Sequence, residues 1–495
     1  MTRQIRLLGL GLMVCFAVLF VQLNRITVFQ AAELNANPNN TREILRDFTR
    51  PRGTVTTADG VVIAQSVPSN DRFELQRQFP EGPLFAGVTG YYSFTLGSSG
   101  VEKTYNDELA GRTLDLSLRD LGDLFVDKER TGDLNLTVRA DLQRIAAQQL
   151  GEREGAVVAI DPRTGAILAM VSYPTYDPNQ LANHDTQAAA DVATLLDASP
   201  EKPRLSRAYQ DRFFPGSTFK VVTATAALTS GTITADQPVY PTSTSYTPPG
   251  TTRPLQNFGG EACGGALFEA LRVSCNSAFA QMGVDTGPEA MIATAERFGF
   301  NQDVPLDLTR PARSNFPTDF ERNLPALAQS AIGQNEVAAT PLQMAMIAGA
   351  VANDGEIMVP HVLGDVRDAD GNIVDTYDDE VWTTAMDRGT AALMRDAMIG
   401  VAERGTATRL KVPGFVVGGK TGTAQLGTSP PRSHAWIIGF AGPPGERPSI
   451  AVAVLVEGQE GASEQTGGRV AAPIAQAILQ AYLTTPTPSA VADPN

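Results

Sequence analysis

The first pattern along the chain is an uncharged apolar run, Leu7 to Leu23, with Arg3 and Arg6 ahead of it. As a helix it would extend roughly 26 Å, near the lower limit for crossing a bilayer. It is longer than the core of a usual signal peptide, and no clean A-x-A cleavage site follows directly. The expectation is an uncleaved anchor, rather than a cleaved signal peptide, with the N-terminus inside; either way everything after it is exported. From Gln30 to about Asn40 the chain turns polar and Asn-rich, as a linker would. Arg50–Val55 and Val61–Ala64, joined at Ala58-Asp59-Gly60, predict strand, turn and strand. Asp133–Val138 alternates as a strand, and Ala140–Leu150 has the apolar spacing of an amphipathic helix. A hairpin follows: Gly155–Ile160, a turn at Asp161–Gly165, and Ala166–Val171. Thr186–Leu196 predicts a helix, and the Thr-, Ser- and Pro-rich segment 238–254 a loop or irregular ribbon. Phe415–Gln425, His434–Phe440 and Ser449–Glu457 predict three more strands. Ala471–Leu483 closes as a helix with Pro473 in its first turn. The tail from Thr484 is Pro- and Ser-rich and expected to be disordered. Strands at both ends of the large domain with helices between them predict an α+β fold: an antiparallel sheet covered by helices on both sides. The division expected is 1–30 N-terminus and anchor, 31–140 small mixed domain, 141–484 large domain and 485–495 tail.

A chain of 495 residues exceeds one ordinary core, which agrees with more than one domain. The net charge of −15 argues against nucleic acid as a partner, because phosphate binding needs clustered cations. Three histidines, His184, His361 and His434, are too scattered for a typical metal site, so no metal and no cofactor is expected. They leave little room for a Ser-His-Asp hydrolase, and no G-x-S-x-G elbow occurs. Cys263 and Cys275 are close enough to bridge in an exported domain; sequence leaves that pairing open, since geometry decides it. Only six lysines occur, and two of them, Lys220 and Lys420, fall in the motifs that follow.

The first motif is Ser217-Thr-Phe-Lys220, heading the apolar segment Val221–Leu228. A helix beginning at Ser217 would place the hydroxyl and the amine one turn apart on one face. A serine is a weak nucleophile at neutral pH, and a desolvated lysine can serve as its base. Alone, this spacing recurs by chance, as a helix cap beside a solvated lysine. The second is Ser274-Cys275-Asn276, after a helical stretch Ala266–Val273. On a loop between helices, its hydroxyl can relay a proton and its amide can hold a carbonyl and a lysine together. By itself it would be a helix-end cap. The third is Lys420-Thr421-Gly422-Thr423. On an edge strand the lysine and both hydroxyls would bind a terminal carboxylate, and Gly422 would leave room for a peptide added alongside. Read singly it is a Gly-rich turn. A phosphate loop is excluded, because Phe415 stands where its first glycine would be.

In this order and behind an anchor, the three motifs resemble the S-x-x-K, S-x-N and K-T-G triplet of the penicillin-binding proteins. The likeness extends to the hairpin GAVVAIDPRTGAILAMVSYPTYDPN, to Ala331–Gln334 leading into Thr340–Gln343, to His434–Trp436 and to Ala471–Ile474. RPRGTV at 50–55 and GVEKTY at 100–105 resemble the pedestal of the monofunctional class B type. The pedestal is short for that class, as in the actinobacterial penicillin-binding protein A group, and there is no room for a class A glycosyltransferase domain. The resemblance implies the penicillin-binding transpeptidase fold and a peptidoglycan D,D-transpeptidase. Ser217 would attack a D-Ala-D-Ala stem peptide, Lys220 would take its proton, and Ser274 would relay it to the departing D-alanine. Asn276 would position the donor, and Lys420, Thr421, Gly422 and Thr423 would bind it. It also implies covalent binding of β-lactams at Ser217, the cytoplasmic membrane as location, a role in cell-wall synthesis and cell division, and a membrane glycosyltransferase of the division or elongation machinery as partner.

Two further readings use the same residues. Water in place of an amine acceptor would make the protein a D,D-carboxypeptidase or a β-lactamase, although no separate Glu motif for a deacylating water stands out. A β-lactam sensor or a division scaffold would not need turnover, but a sensor should carry a cytoplasmic signalling domain, and only a handful of residues precede the apolar run.

Overall fold

The computed structural model describes residues 2–26, 47–113, 116, 131–320, 323–429, 432–458 and 466–485. The expected linker around 30–40 and nearly all of the expected tail lie outside the described residues. The chain divides into two compact units: Met1–Pro51 with Val67–Gln76, and Arg52–Ser66 with Arg77–Asn495. The first unit contains helix α1 (Thr2–Asn24), whose apolar side chains are exposed along its length. By length and composition it can cross a membrane.

The second unit contains the remaining elements used below, apart from the last two residues of β2. In chain order these are β1 (Val55–Thr56), β2 (Val62–Pro68), β3 (Asp133–Leu136), α2 (Ala140–Leu150), β4 (Gly155–Ile160) and β5 (Ile167–Tyr173). Then come α3 (Lys220–Thr229), α4 (Leu267–Arg272), α5 (Asn276–Thr286), α6 (Pro341–Ala352), β6 (Leu363–Arg367) and β7 (Ile373–Thr376). The last are α7 (Arg388–Arg404), β8 (Val416–Gln425), β9 (Ser433–Gly442), β10 (Ile450–Val456) and α8 (Ala471–Thr484).

The main sheet is antiparallel, in the order β8-β9-β10-β4-β5. Every residue of β4, β9 and β10 is buried, so both faces are covered. That is why these strands read as near-continuous apolar runs instead of alternating. Helices α2 and α8 pack together against the sheet, and α6 and α7 form another packed pair against it. Helix α6 is buried along its whole length. It starts sharply because Thr340 caps it, accepting from the Gln343 N–H at 3.0 Å, and Pro341 fits the first turn. This α+β arrangement is the one the sequence predicts, and it leaves β8, which carries Lys420–Thr423, on an edge.

A second sheet gathers distant parts of the chain. Strand β1 lies antiparallel to β2 and parallel to β3, β6 pairs with β3, and β7 with β6. Residues 363–376 thus complete a sheet begun at residue 55, a long-range pairing that no local pattern announces.

One local expectation is corrected. The helix expected at Ser217 begins as a tighter 3₁₀ turn, Gly216–Phe219, and becomes α-helical only at Lys220. Gly216 takes a φ of +53°, and its N–H donates to the Gly333 carbonyl at 2.9 Å, bending the chain sharply into the turn.

Candidate active site

Three elements converge on one groove of about 970 Å³: the 3₁₀ turn with Ser217, the α4–α5 loop with Ser274 and Asn276, and edge strand β8 with Thr421 and Thr423. The chain between them spans some two hundred residues, so the convergence is wholly tertiary. The serine turn is held in place by backbone and small groups. Trp436 on β9 donates its indole N–H to the Phe214 carbonyl at 3.0 Å. Thr218 Oγ1 donates to the Pro215 carbonyl at 2.7 Å. A Cβ on Gly422 would lie 2.8 Å from the Pro215 carbonyl oxygen and 2.9 Å from both Thr218 Cγ2 and Trp436 Cβ. Gly422 is therefore glycine so that the serine turn can dock on β8. This corrects the expectation that it clears space for a ligand.

Lys220, fully buried at the start of α3, donates to the Ser274 carbonyl and to Asn276 Oδ1, both at 2.7 Å, and lies 3.3 Å from Ser274 Oγ. Its ammonium would stand 5.5 Å over the Phe279 ring. Lys420, also fully buried, donates to Ser274 Oγ at 2.7 Å and to the Thr421 carbonyl at 2.8 Å. Ser274 thus bridges two amines. Its φ of +60° is a left-handed conformation uncommon for a serine, and it turns the residue between α4 and α5 so that hydroxyl and carbonyl both face Lys220.

No carboxylate pairs with either lysine among the described residues. Burial pushes Lys220 well below the ordinary range for an amine, and the charge of Lys420 adds to the effect. Burial pushes Lys420 down to about 7. A neutral Lys220 keeps two N–H donors for Ser274 and Asn276 and has a lone pair left to accept a proton. Ser217 is half-buried on the groove wall, and its hydroxyl has no hydrogen-bond partner among the described residues.

Asn276 opens helix α5, and its Nδ2 donates to the Gln256 carbonyl at 3.0 Å. The 240–265 ribbon, whose role the sequence left open, steadies this loop in two further ways. Cys263 and Cys275 form a disulfide. Asn257 Oδ1 accepts from the Ser277 N–H at 2.8 Å, and its Nδ2 donates to the Ser243 and Glu261 carbonyls.

Of the eight sequence-predicted residues, Ser217, Ser274, Asn276, Thr421 and Thr423 line this groove, Lys220 and Lys420 are buried on Ser274, and Gly422 lies against the serine turn. Sequence reading missed Thr406, whose hydroxyl is 2.7 Å from Thr421 Oγ1, and Arg409 and Arg469 on the same rim. It also missed Gly467, where a Cβ would fall 1.8 Å from the Trp436 carbonyl oxygen. The adjacent Gly467-Gly468 pair was a local signal of close backbone approach. Thr406 gave none. His434 belongs to the core: burial pushes it down to about 4, Nδ1 accepts from the Gly458 N–H at 3.2 Å, and its ring meets Phe213 edge-on. Among the described residues no cluster of acidic, histidine and cysteine side chains could hold a metal.

Comparison with known proteins agrees with this geometry. Residues 155–480 match the penicillin binding protein transpeptidase domain, and residues 52–134 match the penicillin binding protein A dimerisation domain. The chain is 38% identical to the peptidoglycan D,D-transpeptidase PbpA of Mycolicibacterium smegmatis, over 98% of this chain and 99% of that protein. It is 36% identical to the PbpA of Mycobacterium tuberculosis, over 98% and 99%. Among solved structures it resembles penicillin-binding protein A from M. tuberculosis as a ceftriaxone acyl-enzyme complex. That match has a TM-score of 0.80 at 35% identity and covers 88% of this chain and 99% of the other.

Proposed function

The chain belongs to the penicillin-binding protein transpeptidases, and from that premise we propose how its own residues carry out peptidoglycan D,D-transpeptidation. The observation that carries the assignment is the pair of buried, carboxylate-free lysines around Ser274, beside Ser217. Ser217 Oγ is the nucleophile toward the carbonyl of a D-Ala-D-Ala stem terminus, and neutral Lys220 accepts its proton. Ser274 relays that proton to the departing D-alanine nitrogen through the Lys220–Ser274–Lys420 contacts. The acyl-enzyme is then attacked by an amine of a neighbouring stem, which restores Ser217 and forms the crosslink.

Asn276 is shared between Lys220 and the donor peptide. Lys420, Thr421 and Thr423 seat the terminal carboxylate, while Gly422 positions the serine turn against the strand. The N–H groups of Ser217 and Thr423 form the oxyanion hole. Ser217 lies in the first turn of a 3₁₀ segment, where N–H groups lack intrahelical partners. One such donor contributes about 3 kcal/mol to the transition state. A β-lactam takes the donor's place and acylates Ser217.

Helix α1 is consistent with a single-pass membrane anchor. The topology proposed places the N-terminus in the cytoplasm, following Arg3 and Arg6, with the catalytic unit outside. The domain plan proposed is anchor to 30, pedestal 31–140, transpeptidase 141–484 and tail 485–495. Nascent glycan must be supplied by a polymerising enzyme, so a membrane glycosyltransferase of the division or elongation machinery is the proposed partner.

The test is mass spectrometry of the intact protein after benzylpenicillin, followed by peptide mapping. One adduct is expected, on Ser217, persisting for many minutes. An adduct elsewhere removes the assignment, and rapid loss with release of penicilloate makes water the acceptor.

A further inference from the structure

The rim of the groove at Thr421 carries two guanidiniums that the chemistry above does not use. Arg409 stands on the turn following α7, and Arg469 on the segment leading into α8. Both side chains are exposed and line the groove that contains Ser217. The two segments are tied together and to the strand. Arg409 Nη1 donates to the Arg469 carbonyl at 3.3 Å. Thr406 meets the Thr421 hydroxyl at 2.7 Å. A Cβ on Gly468 would fall 3.6 Å from Thr421 Cγ2. Neither arginine has a carboxylate partner among the described residues. Several other surface arginines of this acidic chain do have one: Arg144 pairs with Glu81, Arg204 with Asp197, Arg272 with Glu269 and Arg313 with Asp303. Two cations with no carboxylate partner among the described residues, on one groove of a chain with net charge −15, suit an anionic visitor.

We propose that Arg409 and Arg469 form an outer anion ring that captures the carboxylate of the incoming stem peptide or β-lactam and passes it inward to Thr421 and Thr423. This deepens the transpeptidase reading and rests on it. The physical need is plain. The inner seat's only cation, Lys420, is buried and only part-charged near neutrality, whereas guanidiniums stay charged at every working pH. Exposed charges act at range and raise the local concentration of an anionic ligand, which the inner seat cannot do for itself.

The experiment measures the second-order rate constant for acylation of the full-length, detergent-solubilised protein by benzylpenicillin, a monoanion. Salt is raised from about 0.01 M to about 1 M, which shortens the screening length from about 30 Å to about 3 Å. The native protein should slow about five- to tenfold over that range. The double variant Arg409→Gln/Arg469→Gln should be slow already at low salt, by about the same factor, and should converge with the native rate at high salt. Arg409→Lys/Arg469→Lys should restore most of the rate and the salt dependence. Arg404→Gln, an exposed charge outside the groove, should change little. A double glutamine variant with native rate and salt slope overturns the ring. So does a variant slowed equally at all salt concentrations, which would mean a packing role. A native protein that is not acylated on Ser217 at all fails the parent reading instead.

Discussion

Arg52 and Arg77 are buried around Glu102, whereas Lys220 and Lys420 are buried around a serine. In the first cluster Glu102 accepts from Arg52 Nε at 2.7 Å and from Arg77 Nε at 2.6 Å. Arg52 also reaches the Glu102 carbonyl and stacks 4.1 Å over the Tyr92 ring, and Arg77 reaches the Gly53 carbonyl. Burial alone would raise Glu102, but the two guanidiniums outweigh it and hold the carboxyl below its ordinary range. Both guanidiniums share that one carboxylate. In the second cluster the lysines' hydrogen-bond partners among the described residues are hydroxyl, amide and carbonyl oxygens. Burial therefore weakens their hold on the proton instead of strengthening it. The same desolvation leaves one set of basic groups ion-paired and the other suited to the proton transfers proposed above, and the deciding factor is whether a carboxylate was supplied.

The comparison breaks most sharply at the reactive cluster. Lys220→Met should lower acylation by benzylpenicillin about a thousandfold or more, while the melting temperature stays level or rises, because an uncompensated buried amine has been removed. A protein that unfolds but, where folded, acylates normally would make Lys220 structural. Glu102→Gln should do the reverse. Leaving two buried guanidiniums without their anion costs about 3–5 kcal/mol of stability, read as a lower denaturant midpoint. Acylation per folded molecule should be unchanged, and a loss of rate without a loss of stability would refute the contrast.

Proton binding sharpens it further. Lys420 sits near 7 when folded and near 10.5 when unfolded. Between those values the unfolded chain holds one more proton at this residue, so its contribution to stability rises with pH across that window and is lost as pH falls toward 7. Lys420→Met should flatten that part of the stability–pH curve by about one proton of slope. For the native protein, acylation should decline above about pH 7 as the seat loses its charge, and a rate still climbing at alkaline pH would remove Lys420 from carboxylate binding. The smallest effect expected is that of Thr406→Val. It deprives Thr421 of one hydroxyl partner and should slow acylation only several-fold, the equivalent of about 1 kcal/mol.

Much of this was legible in advance where chemistry is local. Ser217-x-x-Lys220 and Lys420-Thr-Gly each placed functional groups within one turn or one strand. The hairpin 155–171 and strands β9 and β10 announced themselves by near-continuous apolar runs. Arg52 and Glu102 were noticed only as parts of two recurring segments, because nothing local tells a buried arginine where its carboxylate is. Gly422 was read for the right motif and the wrong reason. Its glycine requirement comes from Pro215 and Trp436, both distant in sequence.

The sequence by itself determined most of the element types, an apolar run long enough to cross a membrane, and which serine and lysines are proposed as nucleophile and amines, since these follow from periodicity and side-chain chemistry. Only the tertiary structure decided that Lys220 and Lys420 share Ser274, that the disulfide closes beneath Asn276, and that Arg409 and Arg469 stand on the same rim. The reason is that desolvation and charge pairing depend on distances between residues far apart in the chain, and those distances exist only once the sheet and its helices have closed around the groove.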